Sequence, residues 1–234
     1  MTVRIATLLF AFATGAAIIT PANANAQADE GSFALTVDGR PAGNERFEIR
    51  QSGGGRSTET LANGQITLRL PTGGVELSTR LRATGIRATP TAYRVDVGGG
   101  SRRNVVGTVA DGRFSAKILT PSGEQLREYA ATDGAVLLDA GVAHHYYFLA
   151  QRLREGRIPV LIPQENRQVM ATVENRGDET IRIGEQPVGS THLVVRVAPD
   201  DERHVWIDVL NRVLRVESCT AGHCYRAERV AAPS

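Results

Sequence analysis

Gln65-Ile66-Thr67-Leu68-Arg69-Leu70 alternates polar and apolar residues without a break. A period of two places every second side chain on one face, so the stretch predicts a β-strand with one buried and one wet face. The same alternation runs outward in both directions. Phe33, Leu35 and Val37 precede it, then Phe47 and Ile49; Tyr93, Val95 and Val97 follow, then Phe114, Ala116 and Ile118. Turn-forming pairs punctuate these runs at Asp38-Gly39, Asn63-Gly64, Gly73-Gly74, Asp111-Gly112 and Pro121-Ser122-Gly123. Short connections of that kind join antiparallel neighbours. Further strands are expected near Val169–Glu174, Thr180–Gly184, Thr191–Val197, Val205–Val209 and Val213–Glu217.

One segment has a different period. Val142, Tyr146, Leu149 and Leu153 recur at helical spacing, with Asp139 available as an N-cap and Gly156 as a stop. They predict one amphipathic helix of about four turns near residues 140–155, its apolar stripe on the sheet. About eight strands are expected before it and about six after. Parallel βαβ units are not expected, because one helix cannot supply the crossovers. The fold class read from the chain is mainly β: a single curled antiparallel sheet, half-barrel or open barrel, with one helix packed on it.

The first residues are of another kind. Arg4 precedes the apolar run Ile5–Ile19, then Pro21 and the small residues Ala22 to Ala26. Fifteen helical residues reach roughly 22 Å, short of the ~30 Å hydrocarbon core, so residues 1–26 read as a signal peptide cut after Ala26. The remaining residues, 27–234, are expected to form one exported β domain with no membrane span. Cys219 and Cys224 are the only cysteines. In an oxidising compartment they are expected to pair as a local disulfide, their spacing being wrong for a Cys-x-x-Cys redox motif.

Composition removes several functions. The chain has 234 residues, 41% hydrophobic and 5% aromatic, and 27 Lys and Arg against 25 Asp and Glu. Lys117 is the single lysine, so 26 of the 27 cations are Arg. With acids interspersed, no concentrated basic face for nucleic acid is expected. No H-E-x-x-H, G-x-S-x-G, Walker, Rossmann or calcium-loop pattern occurs. His144-His145 is the best catalytic seed, but adjacent helix positions diverge by about 100° and cannot share one ligand. Gly98-Gly99-Gly100 followed by Ser101, Arg102 and Arg103 reads as a hairpin tip rather than a phosphate cradle, since no helix follows. His192 and His204 lie near Asp200, Asp201 and Glu202, read as a solvated hairpin tip rather than a metal site. No catalytic residue, metal or cofactor is therefore assigned.

A resemblance adds to this reading. His204-Val205-Trp206-Ile207-Asp208, then Arg212-Val213-Leu214-Arg215-Val216-Glu217, resembles the closing hairpin, W-[IVL]-D then R-x-L-R-V-E, of an uncharacterised group of bacterial exported proteins. Gly43-Asn44-Glu45-Arg46-Phe47 matches the G-x-E-x-F of its second strand. More distantly, the layout is similar to the periplasmic lipoprotein-carrier and lipoprotein-sorting half-barrels. The resemblance implies the periplasm and an apolar or lipid-like ligand, here between sheet and helix, with Phe47, Tyr93, Phe114, Tyr146, Phe148 and Trp206 as its lining. The alternative is an assembly protein that meets an envelope partner through its sheet edges. A hydrolase or metal enzyme comes last. Trp206 stands on the strand face opposite Val205 and Ile207, so something must cover one of those faces.

Overall fold

The computed structural model describes residues 26–71, 73–100, 102–130, 134–152, 155–220 and 222–233. The signal segment before Ala26, Ser101 of the Gly-rich turn and Leu153 of the expected helix lie outside the described residues.

Among the described residues fifteen strands form one sheet. They are β1 Ala26–Val37, β2 Arg40–Ser52, β3 Glu59–Leu70, β4 Gly73–Thr84, β5 Thr89–Gly99, β6 Arg103–Ala110, β7 Arg113–Thr120, β8 Gly123–Ala130, β9 Val136–Leu137, β10 Gly156–Ile162, β11 Arg167–Ile183, β12 Gln186–Ala198, β13 Asp201–Ile207, β14 Val213–Thr220 and β15 His223–Arg229. Their spatial order is β8-β7-β6-β5-β4-β3-β2-β1-β15-β14-β13-β12-β11-β10-β9, so the first strand pairs with the last in the middle of the sheet. The sheet is curled, open and barrel-like, with nine strands before the helix and six after it. The opening alternation behaves as expected: Ile66 of β3 is buried while its neighbour Gln65 is exposed.

Asn63-Gly64, expected as a turn, instead lies inside β3, with Asn63 between Glu48 of β2 and Arg80 of β4. Two further expectations are corrected. The helix α1 is only Tyr146–Ala150, preceded by a 3₁₀ turn over Ala143–His145. It is not amphipathic either, since every residue from Val142 to Ala150 is buried. A helix apolar all round belongs inside a protein, and this one sits in the concavity as a plug rather than lying on the sheet as a lid. Secondly, one strand pair is parallel: β9 runs alongside β10, Val160 opposite Val136. The connection between them contains α1, so the single helix does build one crossover. Among the described residues no helix is long and apolar enough to cross a membrane.

The main core joins Phe33, Leu35, Ile49, Leu81, Val95 and Val105 of the sheet to Leu137, Leu138, Phe148 and Leu149 of the plug. Each such side chain contributes about 1.5–3 kcal/mol as an upper bound. Two glycines make room for rings: a Cβ on Gly107 would lie 2.1 Å from the Phe114 ring, and one on Gly64 would lie 2.4 Å from His144 Cε1. A buried charge pair clasps the middle of the sheet. Arg229 of β15 pairs with Asp29 of β1, donates to the carbonyls of Glu30 and Val213, and lies over the Phe33 and Phe47 rings. Burial raises the Asp29 pKa and lowers that of Arg229, against their mutual attraction.

Candidate functional site

Five of the six expected lining residues face the interior, and one does not. Phe47, Tyr93, Phe114, Tyr146 and Phe148 are buried in the main core, Phe114 against Tyr129 of β8. Trp206 belongs to a separate cluster with Ile181, Ile183 and Leu214. The sheet and the helix do not bring the six around one space. Side chains of the plug occupy the concavity instead.

A string of buried polar groups fastens that plug. The Glu45 carboxylate accepts the backbone N–H groups of Ala143 (2.8 Å) and His144 (3.0 Å) and meets His144 Nδ1 at 2.6 Å. His144 stacks flat on Phe47, ring centroids 5.6 Å apart. Its neighbour His145 sits edge-on, centroids 4.7 Å apart, so the two imidazoles diverge as their adjacency requires. On the far side Asp139 accepts from the Tyr93 hydroxyl at 2.7 Å and from the Gln164 N–H at 3.0 Å. Burial pushes the Asp139 carboxyl up to about 6 and the Tyr93 hydroxyl well above its usual range. It also drives the His145 imidazole well below 6.5, with His144 adding to the effect. Thr79 Oγ1, His144 Nε2 and His145 Nε2 are buried without a hydrogen-bond partner. These groups have the chemistry of an acid-base site but no exposure, so their work in this geometry is to hold the plug. Among the described residues no group of three or more His, Cys, Asp or Glu side chains could hold a metal ion.

The Trp206 face is covered by the chain itself. The β11–β12 hairpin runs on past β13, and a register shift between Asn175 and Gly177 accompanies its bend. Ile181, Ile183 and Val188 of that arm pack on Trp206 and Leu214. The indole N–H donates to Glu179 of the arm. His192 stacks on the indole with centroids 4.4 Å apart, and Arg215 lies 5.3 Å from the ring. His192 Nε2 meets His204 Nδ1 at 2.9 Å, while their outer nitrogens face Glu179 and Glu202. The expected solvated tip at Asp200-Asp201-Glu202 is corrected at Asp201, which is buried and held in a bidentate pair by Arg203 at 2.8 Å. Arg203 also donates to the Tyr146 hydroxyl at 3.1 Å, tying the plug to β13.

The sheet is open between β8 and the β9–β11 side, and side chains bridge it. Tyr129 donates to Asn166 Oδ1 at 2.6 Å. Gln168 of β11 takes the place of a strand partner at Ala130: its amide accepts from the Ala130 N–H at 3.1 Å and donates to the Ala130 carbonyl at 2.5 Å. Ala130 thus turns its backbone away from β7. By the alternation of an antiparallel ladder, Glu124, Leu126 and Glu128 do the same. Along that edge the Leu126 carbonyl accepts the neighbouring Arg127 guanidinium, at 3.3 Å. Leu126 is 71% exposed, between the Lys117–Glu124 and Arg113–Glu128 ion pairs. Nothing in the alternation singled β8 out, because edge position is a property of the assembled sheet.

Two other features lie on the surface. A trough of about 730 Å³ runs between the β1–β3 strands and the tail from Val230 to Pro233, with Phe47, Arg46 and Asn63 among its lining. Cys219 and Cys224 face each other across the β14–β15 turn with their sulfurs at disulfide distance, 2.08 Å.

No family model matches this sequence, and no curated protein matches it. A solved structure does: the crystal structure of a beta-barrel-like protein of the domain of unknown function DUF1849 from Brucella abortus. The likeness has a TM-score of 0.55 at 12% identity, covering 86% of this chain and 95% of that one. What is shared is the barrel-like fold.

Proposed function

We propose that the protein is an exported, non-enzymatic interaction module of the cell envelope, working in the periplasm, which receives an extended segment of a partner protein along the β8 edge. The reading is carried by one observation: among the described residues β8 is an end strand of the sheet, and it turns the backbone groups of Glu124, Leu126 and Glu128 away from β7 with no strand partner. An extended peptide adds to such an edge through main-chain hydrogen bonds. The filled concavity supports the same reading, because α1 stands where an enclosed ligand would. The apolar run ahead of Ala26 and the Cys219–Cys224 pair support export.

The test is a photo-cross-linker at Leu126, with the same group at Met170, half exposed within the sheet, as control. A Glu128→Pro change removes an outward N–H and the exposed ion pair with Arg113 but no hydrogen bond to β7, so the fold should tolerate it while pairing is blocked. A discrete adduct at Leu126 that disappears with Glu128→Pro is the expected result. Equal labelling at Met170, or an adduct indifferent to the proline, would overturn the reading.

A second reading has its own observation. Phe47, one of the expected ligand contacts, lies at the trough of about 730 Å³ beneath the C-terminal tail, which is large enough for a small apolar or lipid-like molecule. Native mass spectrometry of the exported protein separates the two: a co-purified lipid favours the trough, a partner chain the edge.

A further inference from the structure

Glu202, His204 and Trp206 alternate along β13 and so share one face of the sheet. Across the ladder His192 of β12 stands directly opposite Trp206, and Val194 opposite His204. His192 and His204 are therefore diagonal neighbours, close enough for two rings to meet. The Trp206 indole lies flat on His192, the ring planes 8° apart, and fixes the direction in which that imidazole points. The His192 side chain is 19% exposed and that of His204 37%, so solvent reaches the pair.

Two carboxylates and two imidazoles form a line. Glu179 faces His192 Nδ1 at 3.4 Å, His192 Nε2 faces His204 Nδ1 at 2.9 Å, and His204 Nε2 faces Glu202 at 3.2 Å. Three such contacts need three protons, and two neutral imidazoles carry two. A metal cation between the inner nitrogens removes the shortfall, because each imidazole then keeps its one proton on the outer nitrogen and donates it to a carboxylate. Metal-bound histidine is ordinarily held in that way. The inner spacing suits it as well, since two nitrogens about 2.0 Å from one ion and at a right angle lie about 2.8 Å apart. The arginines around the pair are themselves held by acids: Arg176 by Glu174, Arg196 by Glu174 and Glu202, Arg215 by Glu228 and Arg226 by Glu217.

We propose that His192 and His204 form a two-histidine site for a divalent transition-metal ion, with Glu179 and Glu202 orienting the imidazoles and water in the remaining positions. Imidazole nitrogen selects copper(II), nickel(II) and zinc(II) over calcium and magnesium, and copper(II) binds most tightly in that series. The ion cross-braces β12 to β13 beside the base of the arm that covers Trp206.

The experiment is a copper(II) titration of the exported protein, first stripped with EDTA, read by the emission of Trp206, the chain's one indole. Quenching that saturates at one equivalent and is reversed by EDTA is expected, with no response to calcium or magnesium. His204→Asn leaves the His192 stack in place as the reporter and should weaken binding about a hundredfold; Glu179→Gln should weaken it about tenfold. His223, an exposed histidine held by Asp38 at 2.9 Å, is the control, and His223→Asn should leave the titration unchanged. Melting temperatures in EDTA show whether the variants are folded, and if His204→Asn melts early, Glu179→Gln decides. No saturable quenching, wild-type affinity in the folded variants, or an equal loss with His223→Asn overturns the proposal. None of these outcomes bears on the β8 edge, whose cross-link needs no metal.

Discussion

Glu45 on β2 and His144 in the turn before α1 meet at 2.6 Å, ninety-nine residues apart in sequence and both fully buried. The carboxylate also accepts two backbone N–H groups at the start of the plug, so it acts as the helical segment's N-terminal cap from across the sheet. The 3₁₀ turn has no side-chain cap of its own at Val142. A distant strand supplies what the local sequence omits.

Removing that carboxylate leaves two N–H groups and an imidazole buried without an acceptor. Glu45→Leu is therefore expected to cost about 3–5 kcal/mol, measured by urea denaturation. Glu45→Gln, which retains one acceptor oxygen, should cost less. If both cost under about 1 kcal/mol, the plug is held by apolar packing alone.

Asp139 makes stability depend on pH in a defined direction. Its carboxyl is raised from 3.8 to about 6 by burial, so between those values the folded chain holds a proton that the unfolded chain has lost. This group's contribution is complete below pH 4 and is lost as pH rises toward 6, by about 3 kcal/mol in all. Asp139→Asn should remove that falling component from a melting-temperature profile taken over the same range. A profile with unchanged slope would show that the group titrates elsewhere.

Trp206 is the chain's one tryptophan, and His192 lies flat against it. Burial, with the nearby His204, lowers the His192 pKa from 6.5, while Glu179 and Glu217 oppose the shift and Arg176 adds to it. The neutral imidazole is favoured in the fold, so the stacked arrangement loses stability as pH falls below 6.5 through the folded pKa. Trp206 emission should change in that acid range and be flat in His192→Asn. A variant that retains the wild-type profile would place the titrating group outside the stack.

Much of the fold could be read directly because alternation is a local property. Ile66 and Gln65, like Phe33 and Ser32, differ in solvent preference whatever the rest of the chain does, and a period of two admits only a strand with one buried face. The helical reading failed in length and in kind. Tyr146 and Leu149 do face the core, yet Tyr147 and Phe148 are buried too, and periodicity cannot distinguish a covering helix from an enclosed one when the flanking residues are apolar as well. Glu45 was legible only as part of a G-x-E-x-F strand. Its partners are made neighbours by chain reversal over ninety-nine residues, which no local pattern encodes.

The chain by itself determined that the protein is an antiparallel β domain, where most of its turns fall though not at Asn63-Gly64, and that its two cysteines lie within reach of each other. All of these depend on residues close in sequence. Tertiary structure alone decided that β1 pairs with β15, that the β11–β12 arm and not a ligand covers Trp206, that β8 keeps an open edge, and that His192 and His204 turn their inner nitrogens toward each other. Each depends on which strands become neighbours, and strand order follows from the sum of many long-range contacts rather than from any one stretch of side chains.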